Sequence, residues 1–217
     1  SDIMSKNKIE SLFEVEVGSS NKIKSTTGIT QIPNVRIGSV DFKDVGAFDV
    51  INTMGSMMKE RLVGGQMIYP VVDDQWRMSE DKLNLVEQQI KSVNDSGGGE
   101  AYVSIRLGGY VIIGGDKAGL AKLMTSLPKE GDYPFQLINH GAFHTPLLKE
   151  ISRQALEVLP QSLFQAPKIP MIDGRGVIWT PYGTDIELLH QYTLGHQVVE
   201  TYDFTTAVSV ALKEFAP

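Results

Sequence analysis

The sequence predicts an α/β fold in which a smaller α/β unit is inserted into a larger one. Between Gly65 and Asn139, short runs of β-branched residues alternate with amphipathic stretches in the order strand, helix, strand, strand, helix, strand. This is the order of a split βαβ, ferredoxin-like unit, in which two helices cover one face of a four-stranded sheet. We therefore expect residues 65–139 to form an inserted subdomain, and residues 41–64 and 140–217 to form the core around it.

Each element of the 65–139 region has its own signal. "GQMIYPVV" predicts a strand, and "SEDKLNLVEQQIKSVND" predicts a helix that ends at the "SGGGE" loop. "AYVSIRL" and "YVIIGG" predict two strands joined at Gly108 and Gly109, a two-glycine turn that needs positive φ. Asp116 is positioned to cap "KAGLAKLMTSL", and "YPFQLIN" predicts the last strand. The first helix should bury one apolar face, made of Leu83, Val86, Ile90 and Val93.

The N-terminal flank is the least regular part of the chain. Residues 1–40 have no consistent period: "IESLFEVEV" is typical of a strand, and "GSSNKIKSTTGIT" is typical of a loop. From Asp44 to Leu62, apolar residues recur at helical spacing, which predicts a helix.

The C-terminal flank is mainly helical in its pattern. "HTPLLKEISRQALEVL" predicts a helix, "PKIPMID" a buried strand, and "YDFTTAVSVALKEF" a final helix. Thr184 and Glu187 have capping-box spacing ahead of "LLHQYTLGH". The first of these helices should face inward through Leu148, Ile151, Ala155 and either Val158 or Leu159.

Composition excludes several classes of function. The formal net charge is -6 and no run of Lys and Arg is longer than a pair, which argues against a nucleic-acid or anionic-membrane surface. The chain has no cysteine, so disulfides, thiolate metal sites and a cysteine nucleophile are excluded. No apolar run approaches the roughly 18 residues of a membrane span and no targeting signal is evident, so we expect a cytoplasmic protein.

Two histidines, His140 and His144, have the i, i+4 spacing of metal ligands on a helix. The glutamate of a metalloprotease motif is absent, and Pro146 marks a first helical turn that begins after His144, so we expect no metal site. His144 follows a predicted strand and precedes a helix, where a side chain can project over the end of a sheet. Imidazole suits proton transfer near neutral pH, so His144 is a candidate general base, with a structural histidine as the alternative.

Three stretches, "GAFHTPLL", the segment that begins with "MIDGRGV", and "VDFKDVGAFDVINTMGSMMKE", together resemble the malonyl-CoA:acyl carrier protein transacylases and the acyltransferase domains of polyketide and fatty acid synthases. "GAFHTPLL" is similar to the histidine motif of that family. "MIDGRGV" followed by "LLHQYTLGHQVVETYDFTTAV" is similar to its downstream segment, and "VDFKDVGAFDVINTMGSMMKE" to the helix after its nucleophile elbow. The resemblance begins at about residue 40 and covers about four-fifths of the chain.

The resemblance implies a partial α/β-hydrolase-like acyltransferase core with an inserted ferredoxin-like subdomain. The implied reaction moves an acyl group from acyl-CoA to a phosphopantetheinyl acyl carrier protein through a serine and a histidine, with no other cofactor. His144 would deprotonate the serine and later the incoming thiol. The main-chain carbonyl of Gln191 would hold the other imidazole nitrogen, and Phe143 is typical of members that select malonyl groups.

The chain departs from the family in two respects. No Gly-x-Ser-x-Gly elbow occurs, so none of its serines is nominated as nucleophile, and the family's N-terminal glycine-glutamine-glycine segment is missing. Met54 stands where malonyl-selective members carry the arginine that pairs with the substrate carboxylate, so either Arg61 or Arg106 replaces it or the acyl group is not malonyl. A transacylase whose serine lies outside this chain is the leading hypothesis. The alternatives are an inactive, carrier-protein-binding relative and an acyl-thioester hydrolase.

Overall fold

A computed structural model of the protein describes residues 63–138 and 140–215, together with the backbone of four N-terminal strands. These are β1 (Phe13–Gly18), β2 (Lys24–Ile29), β3 (Gln31–Ile37) and β4 (Val40–Gly46). β1 pairs with β2 and β3 pairs with β4, each in antiparallel register.

These two hairpins correct part of the prediction for the N-terminal flank. The strand predicted in "IESLFEVEV" is present as β1, but the stretch predicted as a loop contains β2. The helix predicted from Asp44 is wrong through Gly46, because the backbone there pairs with β3 and that long-range pairing overrides the local helical period. The rest of that predicted helix, with Met54 and Arg61, lies outside the described residues.

The region from Gly65 to Leu137 contains four strands and two helices in the predicted order. They are β5 (Gly65–Pro70), α1 (Glu80–Asp95), β6 (Ala101–Leu107), β7 (Tyr110–Gly115), α2 (Lys117–Ser126) and β8 (Phe135–Leu137). The strands lie in the order β6-β7-β5-β8, and all neighbours are antiparallel. A two-residue strand, β11 (Tyr202–Asp203), adds to β6 in parallel. The predicted final helix therefore begins only after Asp203.

Both helices pack on one face of this sheet. Ser79 Oγ accepts from Lys82 N and Asp116 Oδ1 accepts from Gly119 N at 2.6 Å, so α1 and α2 begin at capping residues. Gly108 has φ +62°, whereas Gly109 supplies space, since a Cβ there would lie 2.5 Å from Val72 Cγ1. The apolar core between the layers consists of Met67, Tyr69, Val71, Val86, Ile90, Val93, Ala101, Val111, Ile113, Leu120, Leu123 and Leu127, with Leu83 at its margin.

The chain after residue 140 forms a second, mainly helical layer. A 3₁₀ turn (Pro146–Leu148) leads into α3 (Lys149–Val158), a second 3₁₀ turn (Gln161–Leu163) and the small hairpin β9 (Met171–Ile172) and β10 (Ile178–Trp179). α4 (Ile186–Gln191) continues through a π-helical turn (Tyr192–His196) into α5 (Gln197–Val199), and α6 (Phe204–Phe215) follows β11. "PKIPMID" thus yields a strand of two half-buried residues only.

A second apolar cluster supports this layer. Leu159, at 9% exposure, faces inward, whereas Val158 is 56% exposed, which resolves the alternative left open by the sequence. Asp185 rather than Thr184 caps α4, because its Oδ1 accepts from Leu188 N while the Thr184 hydroxyl donates to Thr180 O. The buried members are Ala155, Leu159, Phe164, Trp179, Leu189, Tyr192 and Leu194.

A buried carboxylate organises the turn between β9 and β10. Asp173, 2% exposed, accepts at Oδ1 from the backbone N–H groups of Arg175 and Val177. Its Oδ2 accepts from Arg175 Nη2 at 2.6 Å and from Trp179 Nε1 at 3.2 Å. The Arg175 guanidinium lies 4.2 Å from the Tyr192 ring centroid, so the turn is fastened to the helix that begins with α4.

Within the part of the chain that the structure describes, no helix is both long enough and apolar enough to cross a membrane.

Candidate active site

The segment from His140 to Thr145 lies on the face of the sheet that α1 and α2 leave uncovered. Successive strand residues point to opposite faces, so Gln66 and Gly114, next to core residues of β5 and β7, point away from the helices. A Cβ on Gly114 would lie 2.7 Å from Thr145 Cγ2, which shows how closely the segment approaches. Thr145 is fully buried.

His144 is held in an unusual backbone conformation at this contact. Its φ is +55°, in the left-handed region that non-glycine residues seldom adopt. Its Nδ1 lies 2.5 Å from the carbonyl oxygen of Gln197. Because a carbonyl can only accept, Nδ1 carries the proton of the neutral ring, and Nε2 is left with its lone pair. Nε2 has no hydrogen bond to any residue that the structure describes.

The Gln197 carbonyl is free to accept because of where the helix ends. The helix that begins with α4 runs to Val199, and its last backbone bond is donated by Glu200 N to His196 O. Carbonyls of the last turn lack an intrahelical partner. The partial negative charge of a helix C-terminus also favours a protonated imidazole at this position.

This observation corrects the prediction that Gln191 supplies the carbonyl. Gln191 is the last residue of α4, and the helix continues past it through the π-helical turn. Its carbonyl therefore lies inside the helix, where backbone N–H groups further along the chain donate to it. Gln197 takes the position beside His144.

Burial governs the proton affinity of His144. Desolvation lowers its pKa below the ordinary value of 6.5, and the hydrogen bond to Gln197 opposes that shift. The ring of Tyr202 lies against it, with centroids 5.5 Å apart. Burial, reinforced by the Asp173 carboxylate, raises the pKa of Tyr202, so its hydroxyl stays neutral. At neutral pH the site therefore presents a neutral imidazole with a free Nε2, which is the state a general base requires.

A buried polar network lies beneath this segment. Gln66 is 3% exposed and Ser104 is fully buried. Gln66 Nε2 donates to Ser104 Oγ at 2.7 Å, and Ser104 Oγ donates to the Phe143 carbonyl at 2.7 Å. Gln66 Oε1 accepts from His140 Nδ1 at 3.1 Å. Both ends of the segment before His144 are thus tied to the sheet.

The other predicted site residues lie in different environments. Phe143 is half-buried and contributes its carbonyl to the network. His140 is exposed, and its Nδ1 is bound to Gln66 while that of His144 is bound to Gln197, so the two rings are held by separate acceptors. Among the described residues, no group of three His, Asp or Glu side chains could hold a metal ion.

Arg106 is not brought to His144. It pairs in register with Val111, a member of the core beneath the helices, and its Nη2 binds Glu87 Oε1 of α1 at 2.8 Å. With Asp203 it lines a cavity of about 200 Å³. Strand alternation separates the two sites, because Arg106 pairs with Asp203 while the neighbouring Tyr202 contacts His144. The structure therefore places Arg106 away from His144.

Four residues of the site were missed from the sequence: Gln66, Ser104, Gln197 and Tyr202. The only local signal was a polar residue inside an apolar strand, Gln66 in "GQMIYP" and Ser104 in "AYVSIRL". A polar side chain at such a position needs a partner. That partner lies far along the chain.

Comparisons with known proteins agree with this geometry at the level of the fold. No family model matches the chain, and no curated protein matches it. Solved structures do match. The acyl-carrier-protein S-malonyltransferase of Burkholderia pseudomallei 1710b superposes with a TM-score of 0.59 at 20% identity, over 77% of this chain and 52% of its own.

Two further structures match over the same part of the chain. The malonyl-CoA:ACP transacylase of Synechocystis sp. PCC 6803 has a TM-score of 0.58 at 14% identity, over 76% of this chain and 50% of its own. A malonyl-transacylase in complex with a type II polyketide synthase acyl carrier protein has a TM-score of 0.61 at 17% identity, over 77% and 51%.

Most of the chain shares the fold of a part of the malonyl-transacylases. At these identities the likeness concerns the fold alone, and the chain spans about half the length of each transacylase that it matches. The predicted α/β class and the predicted resemblance are confirmed at that level.

Proposed function

We propose that this chain is the histidine-bearing part of an acyltransferase similar to the malonyl-CoA:acyl carrier protein transacylases. The observation that carries the proposal is the pairing of His144 Nδ1 with the Gln197 carbonyl, which leaves Nε2 free on a neutral ring. The transacylase fold and the "GAFHTPLL" motif support the same reading. The substrates would be an acyl-CoA and the phosphopantetheine thiol of an acyl carrier protein, with no further cofactor.

His144 would transfer protons in both halves of the reaction. Nε2 takes the hydroxyl proton of a serine as its oxygen attacks the thioester carbonyl, and the imidazolium returns that proton to the departing CoA sulfur. In the second half it takes the proton of the incoming thiol and returns one to the serine oxygen. Gln197 keeps the ring in the Nδ1–H tautomer and stabilises the imidazolium. The serine is not present in this chain in a Gly-x-Ser-x-Gly frame.

We further propose that residues 65–139 are a ferredoxin-like subdomain inserted in an acyltransferase core formed by residues 41–64 and 140–217. The strand order β6-β7-β5-β8, with two helices on one face, supports this division. The subdomain would supply the floor on which the His144 segment lies. The acyl group would be malonyl, as the match of Phe143 to the family motif suggests, with its carboxylate bound by a group other than Arg106.

The test is an acyl-transfer assay on the protein encoded by the complete reading frame. The purified protein is incubated with radiolabelled malonyl-CoA, with and without holo acyl carrier protein, and both free CoA and labelled carrier protein are measured. We expect CoA release that depends on the carrier protein. In the His144→Ala variant, the loss of the general base should lower the transfer rate about 10²-fold or more.

The exposed His196 provides the matched control, and His196→Ala should transfer at the wild-type rate. Unchanged transfer in His144→Ala would defeat the assignment. CoA release that needs no carrier protein would instead identify a thioester hydrolase. Carrier-protein binding without turnover would identify an inactive binding module.

A further inference from the structure

The left-handed conformation of His144 requires support from outside its own peptide. Three anchors surround the residue. Its ring is held by Gln197 O, the following Thr145 is fully buried with its hydroxyl bound to Ala142 O at 2.6 Å, and the preceding carbonyl, that of Phe143, is held by Ser104. The Phe143 carbonyl belongs to the peptide plane whose rotation relative to the His144 Cα is φ. Fixing that carbonyl therefore fixes one side of the rotation.

Ser104 reaches this carbonyl because of an irregularity in the sheet. Val103 pairs with Ile113 and Ile105 pairs with Ile112, so Ser104 is an extra residue in β6 opposite consecutive residues of β7. Such a β-bulge re-aims the side chain of the extra residue. The Ser104 side chain is completely buried, and its hydroxyl points into the segment that precedes His144.

The direction of the hydrogen bonds in this network is determined by its ends. The Phe143 carbonyl can only accept, so the Ser104 hydroxyl donates its one hydrogen to it. Ser104 Oγ must then accept from Gln66 Nε2, and Gln66 Oε1 is left to accept from His140 Nδ1. Gln66 thus orients the hydroxyl and also donates to the Phe143 carbonyl at 3.5 Å, while the shorter bond from Ser104 Oγ, at 2.7 Å, orients the peptide.

We propose that Ser104, oriented by Gln66, is a positioning residue that holds His144 in the conformation in which its Nδ1 meets Gln197 and its Nε2 is free. The role of the imidazole as a base rests on the function proposed above. The positioning itself is a property of the folded chain and is measured without acyl transfer, so the two proposals fail separately.

The experiment is an NMR titration of the four histidines in the wild type and in Ser104→Ala. Two-bond nitrogen–proton correlations report which ring nitrogen is protonated, and the signals of His144 are assigned with His144→Gln. The wild type should show a single Nδ1–H tautomer for neutral His144. In Ser104→Ala, both tautomers should be populated, and the titration midpoint should move upward toward the ordinary value as the ring becomes hydrated.

The matched control is Tyr69→Phe. It also removes a buried hydroxyl that is bound to a main-chain carbonyl, that of Pro128 at 2.9 Å, but from the opposite face of the same sheet. Its His144 spectrum should equal that of the wild type. An unchanged tautomer and midpoint in Ser104→Ala would overturn the proposal, and so would the same change in Tyr69→Phe, which would indicate general loosening.

Ser104→Cys provides a second variant for the same NMR measurement, in case Ser104→Ala does not fold. Ser104→Cys keeps the branching of the side chain and fills the space of the hydroxyl with a somewhat larger thiol, which donates only a weak hydrogen bond. We expect partial loss of the Nδ1–H tautomer. A folded Ser104→Cys variant with a wild-type His144 spectrum would contradict the proposal equally.

Discussion

Gly114 lies directly beneath Thr145, so close that a methyl group on Gly114 would stand 2.7 Å from Thr145 Cγ2. The same methyl would lie 3.5 Å from the Cα of Ala142. The backbone of the sheet at Gly114 therefore packs directly against the Thr145 side chain, with no room for another atom between them. This contact fixes how closely the segment approaches the sheet at Thr145.

We expect Gly114→Ala to lower the free energy of unfolding by about 1–3 kcal/mol, since both neighbours are buried and cannot move aside without strain. Gly65→Ala is the matched control on the adjacent strand, because its new methyl would meet nothing closer than 3.4 Å. Urea unfolding of both variants measures the difference. Equal changes in the free energy of unfolding in the two variants would show that the His144 segment moves aside to accommodate a methyl group on Gly114.

The stability of the protein should fall as the pH is lowered through the range in which unfolded histidine titrates. The pKa of His144 is lowered in the folded state, so below an ordinary pKa of 6.5 the unfolded chain binds the proton that the folded chain refuses. Its contribution is therefore complete above pH 6.5 and is lost as the pH falls toward the lowered pKa. Urea unfolding of the wild type and of His144→Gln at several pH values measures the contribution of His144 to the free energy of unfolding.

His144→Gln cannot titrate at this position, so its stability should depend less on pH between 7.5 and 5.5 than that of the wild type. Identical pH dependence in the two proteins would mean that His144 binds protons equally well in both states.

Replacing Tyr202 with alanine should raise the pKa of His144. Desolvation is the largest cause of the lowered value, and the Tyr202 ring, with its centroid 5.5 Å from that of His144, excludes water from one side of the imidazole. Tyr202→Phe keeps the ring and should leave the His144 titration where it is. The measurement is the titration midpoint of the His144 signals by NMR. A midpoint that does not rise in Tyr202→Ala would show that residues other than Tyr202 exclude water from the His144 ring.

Asp173→Asn should destabilise the fold by about 2–3 kcal/mol, because it removes the charge of a buried carboxylate and leaves the Arg175 and Trp179 donors facing an amide nitrogen. Asp95→Asn also removes one partner of an ion pair, with Lys91, but both side chains are well exposed and the loss should stay below about 1 kcal/mol. Thermal or urea unfolding compares them. Similar losses would contradict the structural role of the β9–β10 turn.

The sequence carried the parts of this structure that depend on local pattern. The buried face of Val86, Ile90 and Val93 could be predicted because a helix repeats its inward face every three or four residues. The cap at Asp116 could be predicted because an aspartate before a helical pattern is a typical N-cap. The position of His144 just before a helical turn was also predictable, because Pro146 marks the start of that turn. Asp185 was missed because Thr184 fits the same spacing one residue earlier.

What could not be predicted depends on contacts between distant parts of the chain. Nothing near Gln197 marks its carbonyl as the partner of a histidine in another segment. The bulge at Ser104 arises from the register with β7, and β11 exists only because Tyr202 and Asp203 meet the edge of β6. These are consequences of packing, and no short window of sequence contains them.

The π-helical turn from Tyr192 to His196 contains one residue more than an α-helix needs to reach Gln197. A π-turn accommodates one residue more than an α-turn of the same rise, and each residue in a helix rotates the next by about 100°. Removing a single residue there would leave an α-turn of the same rise and keep the oxygen of Gln197 beside the imidazole, whereas removing one from the regular turns of α4 would rotate that oxygen by about 100°. A one-residue deletion in α4 would thus uncouple the histidine from Gln197, and the same deletion within the π-helical turn would not.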